Sequence, residues 1–196
     1  YSSPFIANCS ITANTALDVN GQGGGIYFHS GGLSTIINCT ISDNKAEYGG
    51  GIYTENSSPA IDFCNISGNT ASRHGGGIYL LSSGSPTISN CIISDNTAFQ
   101  GVGGGIRLIN SSPPITNCTV NGNKAAFSGG GMDSVSASPI VTNCIFWNDI
   151  PDEINVGSTP PTVRYSDVQS GFSGTGNIDV DPQFLGSGDY HLTALS

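Results

Sequence analysis

Apolar positions in this chain follow neither a 3.6-residue helical period nor one long alternation; they return in step with a repeated phrase. One copy reads SPTISNCIISDNTA over residues 85–98, and most copies run on to a glycine triplet followed by Ile. Six cysteines mark the copies, Cys9, Cys39, Cys64, Cys91, Cys118 and Cys144, at intervals of 30, 25, 27, 27 and 26 residues. A unit this short cannot bury its own apolar face and becomes stable only by stacking on copies of itself, so the period predicts a solenoid.

Aligned on the cysteines, Ile6, Ile36, Ile61, Ile88, Ile115 and Val141 stand three residues before, and Ile11, Ile41, Ile66, Ile93, Val120 and Phe146 two residues after. Two aliphatics five apart would point to opposite faces of a single strand, so a bend must separate them. The column just before the cysteine supplies it: Asn8, Asn38, Asn90, Asn117 and Asn143, with Phe63 the exception. Asn tolerates the left-handed backbone of a tight turn. A second amide column, Asn14, Asn44, Asn69, Asn96 and Asn123, follows five residues after the cysteine and closes with Asp149. In one copy Ile88, Cys91 and Ile93 then face inward, while Ser89, Ile92 and Ser94 face out.

A third strand follows the glycine triplets at 23–25, 49–51, 75–77, 103–105 and 129–131, where glycine permits positive φ and close backbone approach at a corner. Ile26, Ile52, Ile78, Ile106 and Met132 point inward from it. The expectation is an all-β fold, a parallel β-helix of three short strands per coil, about 25–27 residues to the coil, with coils about 4.8 Å apart. Residues 1–147 would form the regular coils, and 148–196 divergent C-terminal coils or a cap of the same domain.

The GGGIY and ISDN phrases are similar to the paired GGA-I and F-x-x-N motifs of polymorphic outer-membrane proteins. From residue 1 to about residue 147 the chain resembles the right-handed parallel β-helix repeat proteins of bacterial cell surfaces. That resemblance implies a right-handed, single-stranded coil; it implies little about activity, because such repeats carry many functions. The tail, VRYSDVQSGFSGTGNIDVDPQFLGSGDYHLTALS from Val163 onward, resembles the last coils of secreted or anchored bacterial β-helix proteins. In those proteins an anchor or sorting region follows; because Tyr1 begins almost directly at a repeat, the chain reads as a processed or excised piece.

Charge narrows the partners. Lys and Arg number 5 against 14 Asp and Glu, for a formal net charge of −9, and charged residues make up 10% of the chain. Nucleic acid and anionic membrane surfaces are therefore poor partners, and no apolar run approaches a membrane span. A secreted or cell-surface location is expected. The evenly spaced cysteines leave two readings open: reduced thiols serving as small apolar core residues, or bonds between neighbouring coils, which lie at a compatible Cα spacing.

Chemistry is sought on the outward faces. Beside the glycine-triplet strand the first outward row is Tyr27, Tyr53, Tyr79, Arg107 and Asp133; the second is His29, Glu55, Leu81, Ile109 and Val135. Tyrosines at coil spacing can stack on sugar rings, with Arg107 gripping a carboxylate of an acidic glycan. Equally, the tyrosines stack on one another, Arg107 lies over Tyr79, and Arg107 pairs with Asp133. After the cysteine the outward pairs run Ser10 and Thr12, Thr40 and Ser42, Asn65 and Ser67, Ile92 and Ser94, Thr119 and Asn121, Ile145 and Trp147. This hydroxyl grid suits ice or glycan, or is a solvated sheet face.

A glycosidase needs two carboxylates about 5 to 9.5 Å apart, whereas Glu55 and Asp133 are three coils apart, roughly 14 Å at strand spacing. A calcium-dependent lyase needs an Asp cluster and a base on one face, and the rows show none. Asp179 and Asp181 in NIDVDPQF are candidates for a calcium site or for shaping a turn; no other cofactor is expected. The resulting reading is a noncatalytic extracellular structural or adhesive module of a bacterial surface or filament protein, self-associating end to end because open strand edges template further pairing. Two alternatives remain: a polysaccharide-binding or polysaccharide-cleaving protein using the Tyr27, Tyr53, Tyr79 and Arg107 strip, and an ice-binding protein using the hydroxyl face.

Overall fold

The computed structural model describes residues 3–192 except 83 and 187. Among the described residues every regular element is a β-strand. Four parallel sheets run along the stack. The first joins seven strands from Phe5–Ala7 to Thr162–Arg164; the second joins seven, from Ser10–Thr12 to Asp167–Val168. The third, of five, starts at Thr15–Ala16, and the fourth, of six, runs from Ile26–His29 to Ile154–Val156. Equivalent residues of successive copies pair directly, as Ile66 does with Ile41 and Ile93. The third sheet adds to the three strands per coil expected from sequence. Several of its strands are only two residues long, such as Thr97–Ala98, too short to show an alternation, and Ala46, Ala71 and Ala98 form its buried column.

The corners explain the polar columns. Asn8, Asn38, Asn90, Asn117 and Asn143 adopt φ between 52° and 55°, and Phe63 and Tyr165 hold the same conformation at 49° and 50°. A second left-handed corner contains Ala13, Asp43, Gly68, Asp95, Gly122 and Asn148. At the glycine triplets the space is closed as well as left-handed: a Cβ on Gly49, at φ 61°, would lie 2.7 Å from the Cβ of Tyr53. Buried prolines Pro59, Pro86, Pro113, Pro139 and Pro161 precede strands of the first sheet. A proline lacks an N–H, and its fixed φ suits a strand start.

Inside, the aliphatic columns are closed to solvent from Ile36 to Val141 and from Ile41 to Phe146, and Val163 and Val168 extend them one coil further. Each fully buried aliphatic side chain contributes about 1.5–3 kcal/mol. Two polar ladders run beside them. Each Asn from Asn44 to Asn123 gives one Nδ2 hydrogen to a carbonyl one coil back and shares the next rung's Oδ1 with its own backbone N–H; Asn69 does so at 2.8, 2.9 and 3.0 Å. Cysteine sulfurs form the other ladder, accepting from the preceding cysteine's N–H at 3.4 Å in the Cys9–Cys39, Cys64–Cys91 and Cys118–Cys144 steps. Ser166 Oγ takes that place after Cys144. All six cysteines are free, and Cys9 is the exposed one.

Past Val168 the chain closes the C-terminal edge. Tyr165 N–H donates to Thr175 O at 2.9 Å and Val168 N–H to Ile178 O at 3.0 Å, so strand edges are satisfied by a short covering segment. A hairpin of Phe184–Gly186 and Asp189–Leu192 then returns along the outside of the second sheet. Tyr190 Oη meets Asp95 Oδ2 at 3.5 Å. Gly188 to His191 border a recess with Ile92 and Thr119, and Ile178, Val180 and Leu192 border another with Ile145.

Candidate functional site

The first outward row of the fourth sheet is assembled by in-register pairing, Tyr27 with Tyr53, Tyr53 with Tyr79, Tyr79 with Arg107, and Arg107 with Asp133. The tyrosines meet edge to face, with ring centroids 5.3 Å apart for Tyr27 and Tyr53 and 5.1 Å for Tyr53 and Tyr79. The row is not a free surface. Tyr53 is 2% exposed, Tyr79 6% and Asp133 1%, whereas Tyr27 is 43% exposed. The cover comes from segments leading into the glycine triplets. Gln22 Nε2 donates to Tyr53 Oη at 3.3 Å, and the Tyr48 ring stacks on Tyr79 at 6.0 Å. Arg73 lies over Tyr48, 5.9 Å from its centroid, and pairs with Glu47 at 2.7 Å.

This cover sets the electrostatics. Burial, then the nearby Glu55 carboxylate, drives the Tyr53 hydroxyl above its ordinary range. Burial also raises Tyr79, opposed by the Arg107 charge. Arg107 forms an ion pair with Asp133, rather than standing free to grip an acidic ligand. Asp133 Oδ2 accepts from Asn155 Nδ2 at 2.7 Å and from Ser128 Oγ at 3.1 Å, partners that the row arithmetic did not point to. His74, beside Tyr48, accepts the Val102 N–H at 3.2 Å through Nδ1.

The solvent-facing remnant of the strip lies at its first two coils. Glu55 Oε2 lies 3.3 Å from Tyr27 Oη, which donates to it, and 3.1 Å from His29 Nδ1. This trio offers one aromatic face, one carboxylate and one imidazole, a set suited to hydrogen-bonding and stacking on a sugar. Glu55 and Asp133 sit on strands separated by those of Tyr79 and Arg107, so they do not converge as a carboxylate pair.

The hydroxyl grid is split in two. Ser10, Thr12, Thr40 and Asn65 are exposed, but Ser94, expected outside, is buried at 3%, next to the Asp95 that Tyr190 of the returning tail reaches. The aliphatics Ile92 and Ile145 sit where that tail docks. Asp179 and Asp181 turn their oxygens to backbone N–H groups, of Ser170 at 3.2 Å and Gln183 at 2.8 Å. Among the described residues no three His, Cys, Asp or Glu side chains are arranged to hold a metal ion.

Comparison with known proteins extends the fold assignment. Residues 1–146 match the family model described as the right handed beta helix region. No curated protein matches the chain. A solved structure of a trypsin-treated variant of QnrB1, described as a plasmid-mediated fluoroquinolone resistance protein, aligns with 90% of this chain and 91% of its own at 10% identity and a TM-score of 0.23, too slight a likeness to argue from.

Proposed function

Because the chain belongs to the right-handed β-helix family, whose fold serves many activities, we propose from its own side chains that it is a noncatalytic structural or adhesive module displayed outside the cell. The observation that supports this reading is how the reactive groups are spent. Arg107, Asp133, Tyr53 and Tyr79 satisfy one another under covering loops, and the Asn and Cys columns are used coil to coil. What remains for partners is an elongated polar surface with a net charge of −9.

Self-association would use strand edges at the ends of the stack. The first-coil strands Phe5–Ala7 and Ser10–Thr12 pair on one side among the described residues, whereas the C-terminal edge is covered by residues 175–178. The head-to-tail fibre suggested by the repeat would require displacing that covering segment. Sedimentation velocity with negative-stain microscopy tests the reading: concentration-dependent end-to-end association supports it, and monomers at all concentrations retire the self-associating form.

A second reading is kept by the Tyr27, His29 and Glu55 trio, whose exposed ring and carboxylate fit an extracellular glycan. A glycan array, combined with an ultraviolet assay for unsaturated lyase products, separates the two: binding abolished by Tyr27→Ala favours the second reading, and product formation would overturn the noncatalytic one. An ice-binding role is left only the uncovered hydroxyls of the first three coils, and a thermal hysteresis measurement decides it.

A further inference from the structure

The asparagine ladder does not end on asparagine. Asp149 takes the last place at 6% exposure, and its Oδ1 accepts Asn123 N–H at 2.7 Å and Asn123 Nδ2 at 2.8 Å. Asn123 Oδ1 serves Asn96 in the same way, at 3.0 Å for both. The second carboxyl oxygen occupies the slot where the other rungs hold a nitrogen. A Cβ on Gly77 or Gly105 would lie 3.0 or 3.1 Å from Nδ2 of Asn96 or Asn123, and one on Gly131 would lie 2.6 Å from Asp149 Oδ2. In the earlier rungs that atom donates hydrogen bonds; Oδ2 is buried with no protein donor facing it.

Four residues on, Glu153 is buried too, at 8% exposure. Its carboxyl oxygens lie 3.2 and 3.4 Å from Asp149 N. The two carboxyls border a cavity of about 530 Å³ formed by residues 148–154 and 168–172. Asp152 adds a further acid, its Oδ1 accepting Gly129 N–H at 2.8 Å. The preceding coil presents neutral Asn123 and exposed Lys124, whose backbone bridges Ile150. The strand Met132–Val135 presents Asp133, already paired with Arg107, and the following coil presents Gln169, Ser170 and Phe172. Among the described residues no Lys, Arg or His pairs with Asp149 or Glu153. Two adjacent buried carboxyls without a cation cannot both ionise.

We propose that Asp149 closes the ladder as a neutral carboxylic acid, its Oδ2 proton replacing the amide hydrogen of the earlier rungs and shared with Glu153, and that loss of this proton to the adjoining cavity loosens the C-terminal coils from the stack. Burial, followed by the hydrogen bond and charge of Glu153, holds the Asp149 carboxyl well above its ordinary range; burial raises Glu153 as well. A carboxyl whose folded pKa exceeds its unfolded one stabilises the fold fully below about pH 4, and that contribution is lost as pH rises towards the folded value. The corner is therefore a clasp that weakens with alkalinity.

The test compares the wild type with Asp149→Asn, which restores an amide rung and removes the ionisable proton. At pH 4 the two should melt together; between pH 4 and pH 9 the wild type should lose about 5 °C or more relative to the variant, with amide exchange quickening first in residues 145–168. Identical pH profiles would overturn the proposal. Should the variant fail to fold, ¹³C shifts of the Asp149 carboxyl in the wild type decide alone: a protonated carboxyl at pH 6.5 supports the clasp and an ionised one sinks it. Stabilisation of the wild type at pH 8 by calcium, absent from Asp149→Asn, would assign the corner to a cation instead and also overturn it.

Discussion

Arg107 and Asp133 face each other across adjacent strands on the outside of the solenoid, yet their side chains are only 11% and 2% exposed. An ion pair withdrawn from water is held by the partner's charge and by neighbouring hydrogen bonds, here those of Asn155 and Ser128 to Asp133. Asp133→Ala should therefore cost about 3–5 kcal/mol, because it strands the Arg107 charge. The double replacement Arg107→Met with Asp133→Leu should cost much less than that single one. Urea denaturation of both variants checks this, and an equal loss in the two would contradict the assignment.

The amide ladder predicts a gradient along the stack. Asn69→Ala removes a rung that bonds Ile41 O, Asn96 Oδ1 and the Asn44 amide groups. Stranding those buried groups should cost about 2–4 kcal/mol. Asn14 is exposed, and among the described residues its side chain bonds the rung ahead of it alone; Asn14→Ala should cost about 1 kcal/mol or less. Chemical denaturation of the two variants measures the ratio.

Thiol chemistry should report position along the cysteine ladder. The bond from Cys118 favours the Cys91 thiolate, but the bond to Cys64 and burial outweigh it, and Cys91 is pushed up to about 12. Cys118 reaches about 12 by the same balance with Cys144 and Cys91. With only Cys9 exposed, Ellman's reagent at pH 8 should label one thiol promptly in the native protein and six after denaturation. Cys9→Ser should abolish the prompt phase.

His74 should give an acid-side dependence opposite in sign to that of Asp149. Its pKa is lowered by burial, then by Arg107 and Arg73, and its Nδ1 must be unprotonated to accept from Val102. A histidine with a depressed folded pKa adds stability above its unfolded value of about 6.5, and this is lost as pH falls through the folded one. His74→Gln should therefore lose less stability than the wild type between pH 7.5 and pH 5, as read from melting temperatures; the other titrating groups cancel in the comparison.

The Ile, Cys and Asn columns were legible because stacked coils impose the same constraint on equivalent positions, copy after copy. Even Phe63, where an Asn was missing, keeps the left-handed bend, since the corner is imposed by its neighbours. The covering of Tyr53 and Tyr79 was not legible. Gln22, Tyr48 and Arg73 come from the segments before the glycine triplets, where the copies differ in length and residue type, so no column announces their contact. The tail's docking place did leave a mark: Ile92 and Ile145 interrupt a row of hydroxyls and amides, and apolar residues on an outward row need a cover. Asp149 was visible as the last member of its column, but the approach of Glu153, four residues on, belongs to the divergent segment after the regular copies, where no column repeats.

Because each strand of the stack pairs only with its counterparts in the adjacent coils, a pull on the two chain ends meets no bond that spans the whole rod. Tension would strip one coil at a time from an end, like thread leaving a spool. Each event would release about 26 residues, or roughly 90 Å of slack at about 3.4 Å per residue. A single-molecule trace should thus show a ladder of nearly equal steps, whose small inequalities follow the cysteine intervals of 30, 25, 27, 27 and 26 residues.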